Sequence, residues 1–145
     1  MIVMKFGGTS LKNAEMFRQS ARIVLDEPRE KIVVVSAMAG VTDRLAALIE
    51  KAKNGEEWEA DVKRLEEKHL ALTTALFAKN PAELENAQAI VMFVISRVMN
   101  CLIEMEDILA LTPTLAAASP DEVLGAGESI SAEIFSAVLR DLKKD

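Results

Sequence analysis

The chain opens on an apolar run, Met1 to Phe6, interrupted only by Lys5 and ended by Gly7-Gly8-Thr9-Ser10. β-Forming residues stopped by paired glycines predict a short strand entering a tight turn. From Asn13 the period changes. Met16, Phe17, Ser20, Ala21, Val24 and Leu25 recur three and four apart, which predicts a helix with Asn13 or Ser10 as N-cap and Pro28 beyond its end. Behind Lys31, Ile32 to Val35 is a continuous β-branched run. Its lack of alternation predicts a strand covered on both faces, as in a parallel sheet. Strand, helix and strand in this order make a βαβ unit. A small-residue loop, Ser36 to Thr42, follows, and Asp43 is the candidate cap of a helix lined by Leu45, Leu48, Ile49 and Ala52.

After Asn54-Gly55 the strand signals stop. Trp58, Val62, Leu65, His69, Leu72 and Leu76 alternate four and three apart, a seam that predicts a long amphipathic helix with Glu66, Glu67 and Lys68 on its wet side. Asn80-Pro81 ends it. A second helix is expected to carry Ile90, Val94, Val98, Cys101, Met105 and Ile108 on its inner face as far as Thr112-Pro113, and the short connection predicts an antiparallel hairpin. Ser119-Pro120-Asp121 starts a helical turn, Gly125-Ala126-Gly127-Glu128 reads as a loop, and Ile130, Ile134, Phe135, Val138, Leu139 and Leu142 mark a last helix. The expected organisation is therefore residues 1–53 as a βαβα unit, 56–111 as the hairpin and 120–143 as C-terminal helices. Two parallel strands do not make a self-sufficient sheet, so the pattern predicts part of a larger α/β fold.

Composition narrows the function classes. The 145 residues fit one domain, 50% of them are hydrophobic, and the net charge of −6 argues against a chain that neutralises nucleic-acid phosphates. One Cys (Cys101) excludes an internal disulfide, and one His (His69) excludes His-rich metal cages. His69 sits in the seam and reads as a packed core residue, and Cys101 and the methionines read as core filling. The longest unbroken apolar stretch, Ala89 to Ile95, is far short of the ~20 residues that span a bilayer, so no membrane association is expected and the composition suits a reducing cytoplasm.

The segment with chemistry in it is Lys5-Phe6-Gly7-Gly8-Thr9-Ser10. A cation, two residues without side chains and two hydroxyls at a strand end ahead of a helix form a phosphate site in kind, because bare backbone N–H groups and a helix N-terminus favour anionic oxygen. The chain has neither Gly-x-x-x-x-Gly-Lys-Ser/Thr nor Gly-x-Gly-x-x-Gly. On the residues alone, an ordinary strand-to-helix turn with Lys5 on a wet edge explains the segment as well. Ser36 and Thr42 could likewise do no more than satisfy loop backbone groups, and Glu128 could simply favour a helix dipole.

As a string, Lys-Phe-Gly-Gly-Thr-Ser resembles the opening motif of aspartokinases in the amino acid kinase family. Val33-Val34-Val35-Ser36-Ala37-Met38-Ala39-Gly40-Val41-Thr42-Asp43 resembles that family's second-strand loop, and Gly127-Glu128-Ser129-Ile130-Ser131 its Gly-Glu-x-x-Ser segment. The three stand in the family's order. The resemblance implies a partial amino acid kinase-like α/β fold and, for an intact enzyme, transfer of the γ-phosphoryl group of MgATP to the β-carboxylate of L-aspartate in amino-acid biosynthesis. It implies that Lys5 neutralises charge on the transferring group and that Gly7, Gly8, Thr9 and Ser10 cradle phosphates. Ser36 and Thr42 would face aspartate, and Glu128 would attract its α-ammonium. The family continues with more of the sheet, a segment that clamps the α-carboxylate, a nucleotide lobe and usually regulatory domains. A chain with only these motifs is expected to be inactive by itself and to need the remaining lobe or a partner chain. A non-catalytic anion- or amino-acid-binding module, or a self-associating module derived from the same fold, is the alternative, and the unfinished sheet predicts a homo-oligomer.

Overall fold

The computed structural model describes residues 1–111 and 120–143. Strands β1 (Ile2–Phe6) and β2 (Lys31–Val35) pair in parallel, with Met4 opposite Val33 and Phe6 opposite Val35. A 3-10 turn (Gly8–Leu11) and helix α1 (Ala14–Asp26) connect them. Asn13 caps α1, its side-chain oxygen accepting from the Met16 amide at 3.0 Å. The ammonium of Lys31 closes the other end of α1 by donating to the carbonyls of Val24, at 2.6 Å, and Glu27.

Helices α2 (Val41–Lys53), α3 (Glu59–Phe77) and α4 (Pro81–Leu111) follow, then the short α5 (Pro120–Leu124) and α6 (Ala126–Leu142). The seam from Trp58 to Leu76 is buried throughout. Trp58, at the start of α3, donates its indole N–H to Glu106 near the end of α4 at 2.6 Å, so the two helices run antiparallel. Arg18 of α1 reaches the last turn of α3 and donates to the carbonyls of Ala75 at 2.7 Å and Leu76 at 2.9 Å. Those carbonyls have no partner within their own helix, so the guanidinium satisfies them and welds the βαβ unit to the hairpin.

Alternation places Ile2, Met4 and Phe6 of β1, with Lys31, Val33 and Val35 of β2, on one face. Helices α1 and α6 cover that face. The Phe135 ring of α6 lies 5.7 Å from Phe6 and 6.1 Å from Phe17 of α1. The opposite face is bare: Val3 is 67% exposed, Ile32 49% and Val34 44%, and Lys5 stands among them. This corrects the reading of Ile32–Val35 as covered on both faces. The residue types suit double burial, but the described residues supply helices to one side only.

Three further readings change. The buried stripe of α4 is Ala87, Val91, Ile95, Val98, Cys101, Leu102 and Met105, so Val98, Cys101 and Met105 face inward as expected while Ile90 and Val94 are only half-buried; the side chain of Ile108 lies outside the described residues, as do Thr112-Pro113 and Ser119. Apolar residues of α4 also face outward, at Met92, Phe93 and Ile103, so periodicity does not single out one face. By length and composition Pro81–Asp107 could cross a membrane. Its buried stripe packs instead against α3 and α6. Next, Gly125-Ala126-Gly127-Glu128 is not a loop: α6 begins at Ala126, which puts Glu128 in its first turn. Finally, Asp43 is not the cap of α2, because Gly40 holds that position with a left-handed φ of 78°.

His69 is fully buried in α3. Its Nδ1 lies 2.8 Å from the Leu65 carbonyl, which can only accept, so Nδ1 carries the proton and Nε2 is a bare acceptor. Burial holds the imidazole below its ordinary range, the Leu65 bond opposes this, and the charge of Lys68 adds to the lowering. The unfolded chain therefore binds this proton more readily than the folded one. The stabilisation is complete above the unfolded value, about 6.5, and declines as pH falls toward the lowered folded value. The melting temperature is expected to drop between pH 7 and pH 5, and a His69→Leu variant should lose that part of the slope. Thermal scans across this range check it.

Candidate functional site

Two loops leave the carboxyl ends of the paired strands, where open α/β sheets hold their ligands. The first is the glycine turn. The Ser10 amide donates to the Gly7 carbonyl at 3.0 Å and its carbonyl accepts from Ser20 Oγ at 2.9 Å, so both backbone groups of Ser10 are engaged within the fold. Around Gly7 there is open space where a Cβ would project. The second loop continues from β2: the Ser36 amide donates to Phe6 at 3.0 Å, Val41 donates to Met38 at 3.0 Å, and the chain turns at Gly40 into α2.

These loops touch at Gly8, where a Cβ would meet the Ala37 oxygen and Ala39 Cα at 3.4 Å. The third wall is the first turn of α6. A Cβ on Gly127 would stand 2.7 Å from Ala37 Cβ and 2.8 Å from Val41 Cγ1, closer than side chains approach, so the glycine lets α6 seat against the loop. That seating carries Glu128 to the same place. A cleft of ≈ 250 Å³ results, lined by Gly8, Ser36, Gly40, Thr42, Asp43 and Glu128 among others.

Four of the eight residues singled out from sequence, Gly8, Ser36, Thr42 and Glu128, therefore meet in one cleft although they lie on three separate segments. Gly7, Thr9 and Ser10 belong to the adjoining turn without lining it. Lys5 stands on the bare sheet face, one residue before the buried Phe6. Glu128 Oε2 is buried and, among the described residues, has no hydrogen-bond partner. An unpartnered buried carboxylate oxygen costs free energy, and the arrangement suits a cationic group entering the cleft.

Two contributors escaped the sequence. Asp43 lines the cleft rather than capping α2. Lys68, expected to face solvent, donates from α3 to the Ala39 carbonyl at 3.0 Å. No local pattern announces a bond between residues so far apart. Among the described residues no three His, Cys, Asp or Glu side chains come together to hold a metal ion. A larger groove of ≈ 770 Å³ between α4 and the start of α6, lined by Ile90, Phe93, Arg97 and Glu133 among others, contains none of the loop residues.

The two strand-end loops and the acidic first turn of α6 meet in one cleft, and the whole chain, residues 1–145, matches the model of the amino acid kinase family. The chain belongs to that family. It is 32% identical over 143 residues to the lysine-sensitive aspartokinase 3 of Escherichia coli, an alignment covering 97% of this chain and 29% of that protein. It is 47% identical over 51 residues to a putative inactive aspartokinase 3 of Haemophilus influenzae, covering 35% of this chain and 42% of that one. The crystal structure of E. coli aspartokinase III in complex with aspartate and ADP superposes with a TM-score of 0.75 at 27% identity, over 99% of this chain and 29% of that one. The fold is thus that of a portion of an aspartokinase, and the chain spans less than a third of the E. coli enzyme's length.

Proposed function

We propose that this chain supplies the amino-acid side of an aspartate kinase site and the glycine turn that meets the phosphates. The observation that carries the reading is Glu128: its buried, unpartnered Oε2 shares a cleft with Ser36 and Thr42. A carboxylate for the α-ammonium and two hydroxyls for carboxylate oxygens are what L-aspartate would require. In the reaction a β-carboxylate oxygen attacks the γ-phosphorus, the bond to the β,γ-bridging oxygen breaks, and ADP leaves. The attacking carboxylate is already ionised near neutrality, so no general base is needed. The work is positioning and charge neutralisation. Lys5 would supply positive charge and the Gly7-Gly8 turn backbone donors, and the open space at Gly7 leaves room for phosphate oxygens. Mg²⁺ would arrive with ATP.

Catalysis in this reading needs segments that complete the sheet and hold the nucleotide, as in the longer relatives, and the bare face of Val3, Ile32 and Val34 suits either such a segment or a second copy of the chain. ADP release dependent on L-aspartate is expected to be absent for the 145-residue chain alone. It should appear when the rest of an aspartokinase catalytic domain is added as a separate polypeptide, and the Lys5→Ala variant should then abolish it. Turnover by the isolated chain, or full activity of Lys5→Ala in the mixture, would refute the reading. Light scattering on the isolated chain reports whether the bare face drives self-association.

A further inference from the structure

The second loop turns through Met38, Ala39, Gly40 and Val41, closed by the Val41 amide on the Met38 carbonyl at 3.0 Å. Gly40, third in the turn, has φ 78° and ψ −2°. With Ala39 at a negative φ, those angles define a type II turn, whose third position needs a positive φ that glycine adopts without strain. Types I and II differ mainly by a flip of the central peptide, here the one joining Ala39 to Gly40. The alternative to the observed turn is therefore a flipped peptide with the Ala39 carbonyl pointing the other way.

Lys68 bonds the turn in the observed conformation. Its ammonium reaches across from α3 to donate to the Ala39 oxygen at 3.0 Å, a bond available only in the observed state. The ammonium is partly buried, and its proton is held less tightly than usual, chiefly through burial and then through the neighbouring charge of Arg44. Among the described residues it pairs with no carboxylate, so the carbonyl is its partner. In a planar trans peptide the N–H points opposite to the C=O. With Ala39 O turned to Lys68, the Gly40 N–H points away from α3, and Gly40 lines the cleft whereas Lys68 does not.

We propose that Lys68 is a positioning residue: by gripping the Ala39 carbonyl it locks the type II turn and presents the Gly40 N–H to a carboxylate bound in the cleft. This rests on the reading of the cleft as an acidic amino-acid site. If the turn flipped, a carbonyl oxygen would replace that donor beside Ser36 and Thr42 and repel a carboxylate. The helical hairpin would then act on substrate binding without touching substrate.

The test compares the full chain with Lys68→Met, Lys68→Arg and Gly40→Ala, using the Gly40 and Val41 amide resonances and calorimetric titration with L-aspartate. Lys68→Met is expected to shift the Val41 and Gly40 resonances and to weaken aspartate binding roughly tenfold, the scale of one charge-assisted hydrogen bond, with little change in melting temperature. Lys68→Arg, which can donate to the same carbonyl, should restore both. Gly40→Ala, which has open space for its Cβ but disfavours the positive φ, should reproduce the loss without altering α3. It carries the test if Lys68→Met does not fold. Native resonances and native affinity in Lys68→Met, or in Gly40→Ala where that variant stands in, overturn the proposal. If the unaltered chain binds no aspartate, the substrate reading fails. The amide shifts of the variants then decide by themselves whether Lys68 holds the turn.

Discussion

Gly127→Val is expected to destabilise the chain by about 1–3 kcal/mol and to abolish whatever ligand binding the cleft supports. Even a single Cβ at this position would lie 2.7 Å from Ala37 Cβ and 2.8 Å from Val41 Cγ1, and the β-branched side chain adds bulk at the same point. Neither neighbour is a flexible side-chain end, so the loop or the first turn of α6 must move. Movement of either one separates Glu128 from Ser36 and Thr42. Glycine inside a helix is itself unfavourable by up to about 1 kcal/mol relative to alanine, so Gly127→Ala should gain helix propensity and still lose stability, which isolates the clash. Gly7→Ala is the control, since nothing lies within 4 Å of its Cβ position and φ is −81°. It should fold as the parent does. Urea titrations of the three variants check these expectations, and a Gly127→Val chain as stable as the parent would contradict them.

Phe135→Ala is expected to have the largest effect on folding, about 3–5 kcal/mol for a large aromatic removed from a packed interior. The ring is 3% exposed and lies against Phe6 and Phe17, so it joins α6 to β1 and to α1 at one point. A domain of this size is stable by only ~5–15 kcal/mol, so the variant should be partly unfolded at 37 °C. Phe135→Leu, which keeps much of the volume, should cost far less. Denaturation midpoints at equal m-value would show this, and a Phe135→Ala midpoint within error of the parent would exclude the ring as the keystone of the α6 interface.

Much of this fold was legible because its periods are simple. The two β-branched runs, the Asn13 cap and the Trp58–Leu76 seam each follow from local chemistry. Glu128 was legible as a residue worth attention, although its placement in a helix was not, because Gly125 and Gly127 look like loop residues. Gly127 is there for a close approach to Ala37 and Val41, and nothing in its own neighbourhood of the sequence records that contact. The bare face of β2 has the same character. Ile32 and Val34 have the side chains of doubly buried strand positions, and their exposure reflects what packs on them rather than what they are. Lys68 was misplaced because helical periodicity assigns a side chain to a face but says nothing of a carbonyl 29 residues earlier.

In the proposed site, Glu128, Ser36 and Thr42 hold an amino acid and the carboxylate reads its ammonium group. The most direct measurement is calorimetric titration of the chain with L-aspartate and with succinate, which keeps both carboxylates and lacks the ammonium, alongside the Glu128→Gln variant. Saturable binding of L-aspartate in preference to succinate is expected, with that preference lost in Glu128→Gln. Equal affinity for the two ligands, or a preference that survives in Glu128→Gln, would contradict it.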